Sequence, residues 1–198
     1  MKKIFLDLGT HYGQGLKQFI QMYNIDKSWD IHTFEANPVT YKYFVNLNKN
    51  LIENLNLKHY NLAISHIDGE IAINMETPPN EPSTGMGSSI ITLDKWNPWN
   101  DALRDNFKTS EIVKSINLSR FLDENFKKED FILIKMDIEG AEYDVLEEME
   151  RNNTLQFVND LYVEMHSHFF SNKQEMKERE KNIIQKIKDN NINFHLWH

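Results

Sequence analysis

One segment, FILIKMDIEGAEYDVLEEM at residues 131–149, constrains the fold more than any other, because its hydrophobic period changes once, at Asp137. Phe131 to Met136 is apolar apart from Lys135, the pattern of a short strand buried on both faces, as in a parallel sheet. From Glu142 the period becomes helical: Tyr143, Leu146 and Met149 share one face, while Asp144, Glu147, Glu148 and Glu150 fill the other. A buried strand running into an amphipathic helix is a βα unit. Asp137 is therefore expected at the carboxyl end of a parallel strand, the edge at which open α/β sheets bind ligands. Gly140 permits the tight turn, and Glu139 and Glu142 suit the positive end of the helix dipole.

The same alternation recurs along the chain. Ile4 to Leu8 predicts a strand, residues 14–23 a helix with Leu16, Phe19, Ile20 and Tyr23 inward, and Asp30 to Phe34 a second strand ending in Glu35. A helix over 40–50 and a third strand over 57–64 complete a β-α-β-α-β unit. Further on, 70–76 and 113–118 read as strands, and Ser119 as the N-cap of a short helix that ends before Lys127. Residues 161–165 read as a fifth parallel-type strand, 174–188 as an amphipathic helix and 192–197 as a final strand. The length predicts one domain, 1–198, with a loop-rich insertion near 77–111 as a candidate acceptor lid. Within it Trp96 and Trp99, flanking Pro98, suit either a binding platform or the plug of a satellite core.

Between the first strand and helix runs Asp7-Leu-Gly-Thr-His-Tyr-Gly-Gln-Gly, whose Gly9, Gly13 and Gly15 do not have the spacing of the dinucleotide fingerprint. Glycines there let a ligand approach the backbone. Glu35 follows Gly15 at the interval at which a carboxylate takes ribose hydroxyls. Asp7, ahead of the first glycine, would repel a pyrophosphate but welcome the cationic ammonium and sulfonium groups of S-adenosylmethionine. At the end of the fifth strand, Glu164, His166 and His168 alternate, so with Asp137 they form a carboxylate–imidazole cluster suited to a general base or a divalent metal.

Composition narrows the partners. A net charge of −8 argues against affinity built on phosphate neutralisation, so no nucleic-acid partner is expected. The absence of cysteine excludes disulfides, zinc–thiolate sites and a cysteine nucleophile, and suits a reducing cytoplasm. Lys2 and Lys3 precede apolar residues, but Asp7 and Gly9 break the run before a signal sequence can form, and no segment approaches membrane-span length; a cytoplasmic protein without a membrane partner is expected.

With these stretches placed, the chain resembles the FkbM family of S-adenosylmethionine-dependent methyltransferases. IKMDIEGAEYDVLE at 134–147 is similar to the family's K-I-D-x-E-G-x-E-x-x-V-L block, and FLDLGTHYGQG, FEANP, NLAIS and VEMH support it. The resemblance implies a Rossmann-like α/β fold of the class I methyltransferases, a three-layer sandwich on a mostly parallel central sheet. It implies S-adenosylmethionine as cofactor, with Asp7, Gly9 and Gly13 around its methionine moiety, Glu35 on the ribose and the Asn61 to Ala63 segment near the adenine. Thr10, His11, Ala36 and Asp137 fall in the same cofactor-side blocks, Thr10-His11 standing where the family usually has Ala-Asn. It also implies O-methylation of a hydroxyl on a sugar or other small-molecule acceptor. Asp137, His166 and Glu139 are the candidate catalytic residues. His166 is preferred as base because an unperturbed imidazole titrates near neutrality, with Asp137 orienting it or holding the acceptor hydroxyl; metal-independent transfer is expected. Six core strands are expected, or a seventh supplied by an atypical segment. Two other readings also start from Glu35: a nicotinamide-dependent oxidoreductase and a non-catalytic nucleoside-binding module.

Overall fold

Six parallel strands make the central sheet of the computed structural model, which describes residues 1–76, 87–95 and 109–197. In chain order the strands are β1 (Lys3–Leu8), β2 (Trp29–Phe34), β3 (Lys58–Tyr60), β4 (Ala63–Ser65), β5 (Gly69–Met75), β6 (Thr109–Asn117), β7 (Phe131–Met136), β8 (Asp160–Val163) and β9 (Asn193–Leu196). The central sheet has the order β3-β2-β1-β7-β8-β9, and β4, β6 and β5 form a smaller sheet. The chain starts at β1, builds outward through β2 and β3, then returns to β7 on the other side of β1. The order reverses between β1 and β7, and a crevice opens there at the carboxyl ends of the strands.

Side-chain alternation divides the interior into two layers. Ile4, Leu6 and Leu8 of β1 and Ile132, Ile134 and Met136 of β7 share a core with three helices, α4 (Leu118–Asn125), α5 (Glu142–Arg151) and α6 (Lys173–Asp189). On the opposite face Phe5 and Leu133 pack with α1 (Gln14–Tyr23), α2 (Pro38–Leu47) and α3 (Lys49–Leu55). Tyr143, Leu146 and Met149, the inward stripe of α5, are all buried. The result is the α/β sandwich with a parallel sheet that the sequence predicts. No helix among the described residues is long and apolar enough to cross a membrane.

Several boundaries differ from the sequence expectation for identifiable reasons. The strand expected over 57–64 is two strands in two sheets, because the Asn61 side-chain amide turns back to donate to the carbonyls of Glu35 and Ala36 and ends β3. The helix expected over 40–50 begins at Pro38, capped by the Asn37 side chain, and breaks at Asn48 into α2 and α3. Asn117, not Ser119, caps α4: its Oδ1 accepts from the Arg120 N–H, while the buried Ser119 hydroxyl pairs with Thr154. The strand expected over 161–165 stops at Val163, and Ser167–Phe169 is a short 3₁₀ turn. Trp96, Pro98 and Trp99 lie outside the described residues, as does most of the expected lid.

Candidate active site

At the switch point lies a cavity of about 680 Å³, lined by the strand ends of β1, β2, β7 and β8 and by residues of the smaller sheet. Of the residues expected around a cofactor, Gly9, Thr10, His11, Glu35, Ala36, Ala63 and Asp137 line it, whereas Asp7, Gly13 and Asn61 do not. Asp137, Glu139 and His166 all line it.

The loop after β1 is held by backbone geometry. The Gly9 and Thr10 N–H groups both donate to the Phe34 carbonyl at 3.0 Å, which ties the loop to the end of β2. Gly9 has φ +77, and a Cβ there would stand 1.8 Å from the Asp137 carbonyl oxygen. Its glycine thus serves the close approach of two chain segments rather than of a ligand, and a Cβ on Gly13 would likewise meet the Phe44 ring at 2.9 Å. Glu35 then clamps the loop from the side: Oε2 accepts from the His11 N–H at 2.9 Å and Oε1 from the Asn37 N–H at 2.8 Å. Burial raises the Glu35 pKa to about 7 in spite of those two donors.

Beneath the loop, parallel register places Asp7 opposite Lys135. Lys135, buried on β7, donates to the Gly9 carbonyl at 2.7 Å and stands 3.2 Å from Asp137 Oδ2 and 3.5 Å from Asp7 Oδ1. Burial pulls its pKa down, but Asp137 and Asp7 more than offset this and hold it above the ordinary value. Asp7 is fully enclosed, neither carboxylate oxygen has a hydrogen-bond partner among the described residues, and burial raises its pKa against the pull of Lys135. Lys135, rather than a ligand, is the cation that faces it.

Across β7 the turn Asp137–Gly140 is organised by Glu142. This fully buried carboxylate accepts from the Ile138 and Gly140 N–H groups at 2.8 and 2.9 Å and pairs with His166 Nδ1 at 3.1 Å. Glu139 adopts φ +54 and Gly140 φ +98, so the turn points the Glu139 side chain toward His166. His166 Nε2 lies 3.7 Å from Glu139, 3.8 Å from Glu164 and 4.0 Å from Asp137. Burial alone would lower the imidazole pKa, but Glu142, Glu139 and Asp137 outweigh it and raise it to about 10. The carboxylates around the ring thus shift it away from the near-neutral titration expected of a free imidazole. His168 also departs from expectation: the extended backbone does not continue past β8, and its ring is exposed and off the cavity wall.

Sequence reasoning missed Lys135, Glu142 and Trp197 as parts of the site. Lys135 carried a signal, the lone charge in an otherwise apolar buried strand; Glu142 read only as a dipole partner, and nothing local distinguishes Trp197, whose indole also lines the cavity.

The comparisons with known proteins bear on this geometry. The family model of the methyltransferase FkbM domain matches residues 7–193, whereas no curated protein matches. Among solved structures, the chain is similar to the methyltransferase FkbM from Methylobacillus flagellatus KT, solved at 2.20 Å, with a TM-score of 0.55 and 12% identity. That likeness, which is one of fold, covers 95% of this chain and 38% of the other, so the chain spans about 38% of that protein's length. The family match takes in the cavity end of every strand at that edge, from Asp7 through Glu35 and Asp137 to His166, and by it the chain belongs to the FkbM methyltransferase family.

Proposed function

We propose that the domain is an S-adenosylmethionine-dependent O-methyltransferase acting on a hydroxyl of a sugar or other small-molecule acceptor. The observation that carries this reading is a single cavity joining a buried ribose-type carboxylate, Glu35, to the Asp137–Glu139–Glu164–His166 cluster. Its volume of about 680 Å³ lies in the range of small-molecule sites and has room for a nucleoside cofactor beside an acceptor. Glu35 stands at the end of β2 and Asp137 at the end of β7, two strand spacings or roughly 10 Å along the sheet edge.

The residues fit the cofactor. Each Glu35 oxygen accepts one backbone N–H and keeps a further lone pair for a ribose hydroxyl. Leu62, Ala63, Ile64, Ile73 and Ile90 provide apolar walls for a purine. Asp137, Glu139 and Glu164 make the other part of the wall acidic, and although burial raises the pKa of Glu139 and Glu164, a wall of carboxyl groups suits a cationic sulfonium compound better than the pyrophosphate of a nicotinamide cofactor. When bound, S-adenosylmethionine supplies an electrophilic methyl: an acceptor oxygen lone pair forms the new C–O bond as the S–C bond breaks with its electrons going to sulfur. The chain's own work is positional, since the cluster holds the acceptor oxygen in line and its carboxylates receive the hydroxyl proton. His166, oriented through Nδ1 by Glu142, holds those carboxylates together.

Incubation with methyl-labelled cofactor and a panel of hydroxyl acceptors tests the reading. Label is expected in an acceptor, and Asp137→Asn should lower turnover at least tenfold while S-adenosylhomocysteine still binds. Failure of S-adenosylhomocysteine to bind would sink the proposal; binding with no transfer to any acceptor would favour a non-catalytic nucleoside-binding module.

A further inference from the structure

We infer that the Asp137–Glu139–His166 cluster is a binding site for one divalent cation of the first transition row, with Mn²⁺ as the fitting probe, in place of the metal-free site expected from sequence. The inference deepens the methyltransferase reading and rests on it for the cation's role. One ligand atom from each of the three residues lies within 4.8 Å of the others. His166 Nε2 stands 3.7 Å from Glu139 Oε2 and 4.0 Å from Asp137 Oδ1. These distances are too long for hydrogen bonds. Two atoms that each sit about 2.0–2.2 Å from a common ion stand roughly 3 to 4.4 Å apart, so both His166 spacings, ion pairs as they stand, are also those of groups that can share one ion.

The surroundings agree with that centre. His166 is 2% exposed, yet lines the cavity beside Asp137 and Glu139. Its Nδ1 is paired with the fully buried Glu142, whose carboxylate is itself fixed by the Ile138 and Gly140 N–H groups. A carboxylate behind an imidazole is the outer arrangement that sets the tautomer and aims the other nitrogen at a metal. Asp137, Glu139, Glu142 and Glu164 crowd about one imidazole, and Lys135 is within ion-pair distance of Asp137 alone among the four. A dication supplies the positive charge this wall lacks and leaves negative charge for a cationic cofactor. The mixed nitrogen and oxygen donors favour Mn²⁺ or Fe²⁺ over Mg²⁺ and Ca²⁺, which prefer oxygen alone. With three protein ligands the remaining positions face the cavity, where an acceptor hydroxyl can enter and be acidified by coordination.

The test uses the whole chain stripped with EDTA and titrated with Mn²⁺, free ion being read by electron paramagnetic resonance. One tight site per chain is expected, weakened at least tenfold in Asp137→Asn and in Glu139→Gln and unchanged in Glu178→Gln, a control on the exposed face of α6. Thermal melts of the stripped proteins establish that the variants fold; should Asp137→Asn not fold, Glu139→Gln and the wild-type stoichiometry decide. Absence of a stoichiometric site, or Mn²⁺ binding unaffected by the variants, overturns the inference. S-adenosylhomocysteine titrated into the EDTA-treated chain keeps the two proposals apart: binding of the nucleoside without Mn²⁺ binding removes only the metal, whereas Mn²⁺ binding without the nucleoside removes the methyltransferase reading and leaves the site.

Discussion

Glu35 carries two duties on one carboxylate, clamping the Gly9–His11 loop through the His11 N–H and presenting its remaining lone pairs to the cavity. Burial raises its pKa from the ordinary 4.5 to about 7. The folded chain therefore binds the proton more tightly than the unfolded chain, so this group's contribution to stability is complete below about pH 4.5 and is lost as pH rises through 7. Binding has the opposite sign, because ribose hydroxyls donate best to the ionised carboxylate. Calorimetric affinity for S-adenosylhomocysteine is expected to climb from pH 6 to 8 and then level off. Glu35→Gln should flatten that profile and weaken binding at pH 8 by roughly 1 to 3 kcal/mol, the loss of charge-assisted hydrogen bonds. An unchanged affinity and profile in Glu35→Gln would remove Glu35 from the nucleoside site. The carboxylate at this position was legible from its distance behind the glycines. Its clamp on His11 was not, since a positive φ of 50° at a histidine has no sequence signature.

At the scale of elements, long apolar strands and strongly periodic helices were readable because two periods, near 2 and 3.6, survive in the sequence wherever a face is buried. Strand and helix ends were not, since they are set by single side-chain bonds. Ser119 fits an N-cap by composition as well as Asn117 does, and only the structure distinguishes them. Asn117 Oδ1 accepts from Arg120 N at 3.0 Å while its Nδ2 donates to the His66 carbonyl at 2.6 Å, so one side chain both starts α4 and ties it to the loop before β5. Asn117→Ala is expected to lower stability by about 1 to 2 kcal/mol in urea unfolding and to speed hydrogen exchange at the Arg120 amide. Ser119→Ala should leave that amide protected, because the Ser119 hydroxyl is directed at Thr154 and the Glu148 carbonyl. Equal protection of Arg120 in all three proteins would show that Asn117 is not the cap. The short smaller sheet was the least legible part. β4 is only three residues long and β6 alternates on one face alone, so neither announces which sheet it joins.

Over the whole molecule, the cavity is where the two sheets meet: β1, β2, β7 and β8 supply one wall and Ala63, Ile64 and Ile73 another. A ligand that touches both walls binds only when both are in place, so its binding energy adds to the stability of the folded chain as a whole. At a free concentration 100 times the dissociation constant, that gain is about 2.7 kcal/mol. For a domain of 198 residues it corresponds to a rise in melting temperature of about 5 to 10 °C. S-adenosylhomocysteine is expected to give this shift, and NADH none, since its pyrophosphate would face a wall bearing Asp137, Glu139 and Glu164 on a chain of net charge −8. The nucleoside shift should persist in EDTA, because Glu35 and the apolar walls proposed to hold the nucleoside are residues other than those of the Asp137–Glu139–His166 cluster. Melting curves with each compound, at matched ionic strength, make the comparison. A shift with NADH that equals or exceeds that with S-adenosylhomocysteine would show that the anionic edge does not select the ligand and would overturn the charge argument on which the choice of cofactor rests.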